Sequence, residues 1–206
     1  DKNHSKGQGS IDCDDFYKMI NFIGRDNILD SDVFFDKLKN KKLKDNEVCL
    51  TFDDAVKCQM DIALPVLEEL KIKSFFFVYT SIFEGKPDNL EVFRYFKINY
   101  FKSVDEFYES FYKILDRDLK SFFLKNSENI KETKSKFPFY SVEDIKFRLV
   151  RDYFLSKKDY EKTMFLMIKE KKINHEDFHK KIFFQKSDLQ TLNKLGHSIG
   201  LHSHSH

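Results

Sequence analysis

Val48-Cys49-Leu50-Thr51-Phe52-Asp53-Asp54-Ala55 is an apolar run that ends on two carboxylates, and Ser74-Phe75-Phe76-Phe77-Val78-Tyr79 is a second apolar run downstream. Both runs are short, rich in β-branched or aromatic residues and flanked by polar ones, the pattern of buried strands. Between them Ile62, Val66, Leu67 and Leu70 fall on one helical face, with Pro65 tolerated only near the first turn. Strand, helix and strand in this order predict a βαβ unit, with parallel pairing and the helix outside the sheet. A third strand is predicted over 197–201, within Gly196-His197-Ser198-Ile199-Gly200-Leu201, and it runs into His202-Ser203-His204-Ser205-His206.

Working outward, Phe16, Met19, Ile20 and Ile23 have helical spacing, and Gly24 is a natural stop. Ser31 is expected to cap a second short helix carrying Phe34, Phe35 and Leu38. Residues 89–184 read as almost wholly helical. Ser103 with Glu106 forms the signature of a capping box, and Ser141 with Asp144 marks another helix start. The stripe Tyr160, Met164, Met167 and Ile168 is core by its spacing, not a cofactor box. Ser187 with Gln190 is expected to cap a last helix bearing Leu189, Leu192 and Leu195, which stops at Gly196. The expected organisation is therefore N-terminal helices and a first βαβ unit over 1–88, a helical insertion over 89–184, and a returning helix and strand over 185–206.

The 206 residues suffice for one substantial core. With 36 basic against 34 acidic side chains the formal net charge is +2, so no global field argues for nucleic acid as a partner. No apolar run approaches the ~20 residues of a membrane span, and the start Asp1-Lys2-Asn3-His4 is not a secretory signal. Cys13, Cys49 and Cys58 are odd in number and lack metal-ligand spacing, so a reducing, cytoplasmic setting is expected, with Cys49 packed as a small hydrophobe. The 24 phenylalanines and absent tryptophan read as compositional bias. Both ends of the chain read as cut.

Parallel α/β folds gather functional residues at the carboxyl ends of their strands. Asp53 and Asp54 sit at one such end and His202 to His206 at another. If those strands are neighbours, the two segments converge and offer one aspartate and two histidines as metal ligands, beside a second aspartate. His202 and His206 are four apart and can face one ion if the backbone turns after Leu201, which leaves His204 pointing elsewhere. Adjacent aspartates on an extended backbone point in opposite directions, so one can bind metal while the other serves as general base. Such a site lowers the pKa of a water and polarises the carbonyl it attacks, which fits hydrolysis of an amide or ester. Each segment has a plainer reading: Asp-Asp as a helix cap or loop charge, and His-Ser-His-Ser-His as a solvated tail. The two together, in the same structural context, favour the metal site. A magnesium phosphotransferase fits less well, because its aspartates come as Asp-x-Asp and histidines suit zinc-like metals better.

At these residues the chain resembles the polysaccharide deacetylases, carbohydrate esterase family 4. Leu50-Thr51-Phe52-Asp53-Asp54 is similar to the family's Thr-Phe-Asp-Asp-Gly motif, with Ala55 in the glycine's place. His202-Ser203-His204-Ser205-His206 is similar to its His-Ser/Thr-x-x-His motif, and Gly196 to His202 match the Gly-His-x-Ile-Gly-x-His approach. The resemblance implies that Asp53 is the catalytic base and that Asp54, His202 and His206 bind one divalent metal ion, Zn2+ or alternatively Co2+, Ni2+ or Fe2+. It implies the front part of a distorted (β/α) barrel with parallel strands, interrupted by a large helical insertion, and an N-acetylated glycan as substrate. The Lys6-Gly7-Gln8-Gly9-Ser10-Ile11 stretch and the Phe/Tyr-rich insertion resemble a long-insertion branch associated with bacterial surface polysaccharide. The family's later motifs, including the histidine acting as general acid, are not in this sequence, nor is its opening strand. The alternative is a non-catalytic glycan- or protein-binding module that keeps the front half of the fold.

Overall fold

The computed structural model describes His4 and residues 10–205. Its elements in chain order are helices α1 (Cys13–Ile23) and α2 (Ser31–Lys39), strand β1 (Thr51–Asp53), helix α3 (Leu64–Glu69) and strand β2 (Phe75–Tyr79). Helices α4 (Asn89–Asn99), α5 (Val104–Leu115), α6 (Lys120–Lys125), α7 (Ser127–Lys136), α8 (Val142–Leu149) and α9 (Lys157–Glu170) follow. The short α10 (His179–Ile182), then α11 (Lys186–Lys194) and strand β3 (Ser198–Ser203), complete the chain. It divides into two compact units, Asp1–Val92 with Glu176–His206, and Phe93–His175.

The first unit is built on a parallel sheet in the order β1-β2-β3. This is the α/β class with parallel strands expected from the sequence. The middle strand β2 is the most apolar, and Phe76 and Val78 on one of its faces are buried. Phe52 stacks on Phe76 with ring centroids 4.9 Å apart, and Phe16 of α1 meets the edge of Phe52 at 6.0 Å. The helix crossing between β1 and β2 begins as a wide π turn over Gln59–Ala63 before α3. Pro65, which has no N–H to donate, sits at that junction, as its chemistry requires.

Several boundaries differ from the sequence reading. Of residues 48–52, only Thr51 and Phe52 enter the ladder; Val48 instead makes a single parallel bridge to Ile28, with Val48 N–H donating to the Asn27 carbonyl at 2.9 Å. Asp30, not Ser31, stands at the N-cap of α2; Ser31 is buried, and its hydroxyl lies 2.8 Å from that of Ser198. Helix α11 is capped by Gln185 and Asp188 in a reciprocal capping box, in place of Ser187 and Gln190. Asp188 also accepts both contacts from Lys57 Nζ, at 2.8 and 2.9 Å, and that tertiary pull fixes where the helix starts. Ser103, Ser141 and Gly24 act as read: the two serines accept the N–H groups of Glu106 and Asp144, and Gly24 ends α1 with φ 85°.

The second unit is helical and filled with aromatic rings. Phe147 contacts Phe107 at 5.3 Å and Phe111 at 4.9 Å, and Phe93 meets Tyr160 at 5.5 Å. Met164 and Met167 are buried with them, the core role their spacing predicts. Within this packing lies a buried polar network: Tyr108 Oη donates to Asp144 Oδ1 at 2.6 Å, and Arg148 Nε donates to Asp144 Oδ2 at 2.7 Å. Lys97 Nζ lies 3.3 Å from Asp144 and 4.7 Å from the centre of the Tyr108 ring. None of the helices is long and apolar enough to cross a membrane, among the described residues.

Candidate active site

The carboxyl ends of β1 and β3 flank that of β2. Asp53 is the last residue of β1 and pairs with Phe77, which on its other side pairs with Gly200. That register puts the two motif-bearing strands one strand apart. Phe77 fills the gap, since a Cβ on Gly200 would lie 2.5 Å from two of its ring carbons. Glycine is required here by close approach, not by backbone angle.

Beyond Asp53 the chain leaves extended geometry at once. Asp54 has φ 72° and Ala55 φ 51°, two consecutive left-handed residues. The expectation that Asp53 and Asp54 diverge as neighbours on an extended strand therefore fails for Asp54, whose direction is set by this turn. The Ala55 methyl is 1 % exposed, so the residue that stands where the family carries glycine both adopts positive φ and fills space. The turn is clamped from two sides. Phe184 N–H donates to the Ala55 carbonyl at 2.8 Å, and the Gln59 side-chain amide donates to the Asp53 carbonyl.

His202 does not follow the third strand, as the sequence reading had it, but lies within it. Leu201 pairs with Val78 and Ser203 with Tyr79, which leaves His202 as the extra residue of a bulge. A bulge breaks the alternation of side chains and re-aims the residue it contains. Here His202 Nε2 comes within 3.7 Å of Asp54 Oδ1. Two residues 148 positions apart (202 − 54) thus meet, each with about a third of its side chain exposed. His204 is turned away: its Nδ1 is 2.8 Å from the Thr80 hydroxyl, and Ser81 N–H donates to its carbonyl at 2.9 Å. Those two bonds tie the segment after β3 to the turn after β2. His206, the remaining ligand expected from the sequence, lies outside the described residues.

Tyr79, the last residue of β2, was not singled out in the sequence as a site residue, and it is 1 % exposed. Burial pushes its phenol up to about 12, with the carboxylates of Asp88, Asp54 and Glu91 adding to the effect. It therefore stays protonated at neutral pH, and its oxygen accepts the Asp88 N–H at 3.2 Å. The signal for it was its place as the last residue of a predicted strand.

The donor set suits a divalent metal in kind: a carboxylate and an imidazole, partly exposed and held by backbone constraints, are the ligands zinc-like ions take. Among the described residues no group of three His, Cys, Asp or Glu lies close enough to hold an ion. Burial raises the thiols of Cys49 and Cys58, which keeps both protonated at neutral pH.

No curated protein and no solved structure matches the chain. The family model for polysaccharide deacetylase matches residues 40–95, which span β1, the Asp53-Asp54-Ala55 turn, α3 and β2 and end within α4. His202 and His204 lie beyond the matched segment. Through the segment that builds the aspartate half of this site, the chain is similar to the polysaccharide deacetylase family.

Proposed function

We propose that this chain carries active-site residues of a metal-dependent hydrolase that removes N-acetyl groups from a glycan. The observation that carries the reading is the 3.7 Å approach of His202 Nε2 to Asp54 Oδ1 at the carboxyl ends of strands flanking β2. Asp54, His202 and, outside the described residues, His206 would hold one divalent ion, Zn2+ by donor type. When bound, that ion acidifies a water and polarises the acetamide carbonyl. Asp53, exposed at the end of β1 and anchored through its carbonyl by Gln59, would take the proton from the attacking water. The bulge at His202 and the left-handed turn at Asp54 aim their side chains before substrate arrives, which removes a reorganisation step.

The test is metal titration of the purified chain after chelation, beside Asp54→Ala and His202→Ala. The expected result is about one equivalent of zinc bound by the parent chain and none with comparable affinity by either variant. Binding that survives Asp54→Ala would reduce the histidines to a metal-scavenging tail and remove the basis for the reading.

A further inference from the structure

Asp54 at φ 72° and Ala55 at φ 51° are consecutive left-handed residues, and neither is glycine. Such a pair is strained and persists only where its surroundings over-determine it. The segment that does so lies far away in sequence, at 182–188. Phe184 N–H donates to the Ala55 carbonyl at 2.8 Å, and Lys57 N–H donates to the Ile182 carbonyl at 2.6 Å. Between these bonds Val56 and Phe183 form an antiparallel bridge. The segment is anchored in the core of the first unit, because Phe183 and Phe184 are fully buried. The Phe184 ring lies 6.2 Å from that of Phe76, and Phe183 meets the edge of Tyr79 at 6.1 Å. A side-chain tie completes the attachment: Lys57 Nζ lies 2.8 and 2.9 Å from the two carboxylate oxygens of Asp188.

Pairing with β2 fixes the backbone through Asp53, and the bridge fixes it again from the Ala55 carbonyl onward. Asp54 is held between two fixed ends, so its direction follows from them and not from its own preference. The Lys57–Asp188 pair is shielded, with 23 and 13 % of the two side chains exposed, and so holds more firmly than a surface ion pair. We propose that Lys57 and Asp188 are positioning residues for Asp54. Their ion pair locks the 182–184 segment onto the turn and keeps Asp54 and Ala55 left-handed, the geometry in which the Asp54 carboxylate meets His202. This rests on the reading of Asp54 as a metal ligand. Ala55 is why the lock is needed: a glycine adopts positive φ unaided, whereas an alanine has to be held there.

The test compares the full chain with Lys57→Met and Asp188→Asn; the asparagine keeps an oxygen for the Gln185 N–H and so spares the cap of α11. The first measurement is made without metal. The one-bond Cα–Hα coupling of Ala55, which reports the sign of φ in solution NMR, should move away from its positive-φ value in both variants. The second is zinc affinity, which falls with the fraction of molecules that hold the turn in place. Each variant should bind about tenfold more weakly, and the two combined no more weakly than either alone. In an Ala55→Gly background the penalty of Lys57→Met should shrink to about threefold or less. Lys37→Met, which breaks a similarly shielded pair with Glu47 in the same unit, should leave the coupling and the zinc affinity unchanged. Should Lys57→Met fail to fold, Asp188→Asn carries both measurements. An Ala55 coupling that keeps the parent value in these variants overturns the proposal whether or not zinc binds. So does an equal zinc penalty from Lys37→Met, or a Lys57→Met penalty that Ala55→Gly leaves intact, since either marks the pair as structural only. A parent chain that binds no zinc through Asp54, with the coupling change present, overturns the metal-ligand reading and supports the lock on the turn.

Discussion

Gly200 shows how a single missing side chain serves the site. The Phe77 ring lies where its Cβ would be, between the strands that end in Asp53 and His202. Gly200→Ala should destabilise the first unit by about 2 kcal/mol, the range for forced overpacking, read as a lower denaturant midpoint. Adding Phe77→Ala should recover part of that loss, a coupling that a double-mutant cycle measures directly. His197 presents a different constraint. It is 4 % exposed; its Nδ1 accepts the Ser74 N–H at 3.1 Å and its Nε2 faces Glu68 at 3.2 Å, which fixes the neutral Nε2–H tautomer. Burial lowers its pKa below the ordinary 6.5, with Glu68 and Asp30 opposing and Lys73 reinforcing that shift. In the unfolded chain the imidazole protonates first, so its contribution is complete above pH 6.5 and declines as pH falls toward the folded value. Its slope is at most about 1.4 kcal/mol per pH unit, and His197→Gln should flatten the stability profile between pH 7 and 5 by that component.

At the scale of elements, the strands and helices were legible and their ends were not. Apolar periodicity placed β1, β2 and β3 within a few residues, because burial on a parallel sheet demands continuous apolar runs. The start of α11 was misplaced because Lys57, far away in sequence, holds Asp188 at the cap. The strand β3 was expected to stop at Leu201, yet pairing of Ser203 with Tyr79 carries it past His202 through a bulge that no local pattern announces. In the helical unit, the network on α8 makes a sharp prediction. Asp144 is buried and holds Tyr108, Arg148 and Lys97 at once. Asp144→Asn should destabilise that unit by about 3 kcal/mol, because two cations lose their buried counter-charge. Thermal melting followed by helical dichroism reads the effect; a change under ~0.5 kcal/mol, the size typical of surface substitutions, would mean the network is solvated.

For the whole molecule, the consequential fact is that the candidate site spans the first unit from Asp54 to His202 and so closes that unit on itself. A metal that binds only the folded arrangement stabilises by mass action, about 2.7 kcal/mol at a hundredfold excess over the dissociation constant. Saturating zinc should therefore raise the melting temperature of the parent chain and leave that of Asp54→Ala unchanged, as scanning calorimetry would show. A zinc-induced rise of equal size in Asp54→Ala would place the ion away from the strand ends.

By itself, the amino-acid sequence determined the parallel α/β character, the helical run after β2, the capping serines and the identity of Asp53, Asp54 and His202 as candidates. All of these rest on local spacing and on residue chemistry, which a linear reading contains. Tertiary structure decided the rest. It set the left-handed turn that aims Asp54, the bulge that aims His202, the Phe77 ring that requires Gly200, and the burial that keeps Tyr79 protonated. Each depends on what lies across the sheet from a residue, and that neighbour is chosen by strand register, which is a property of the folded chain and not of any segment within it.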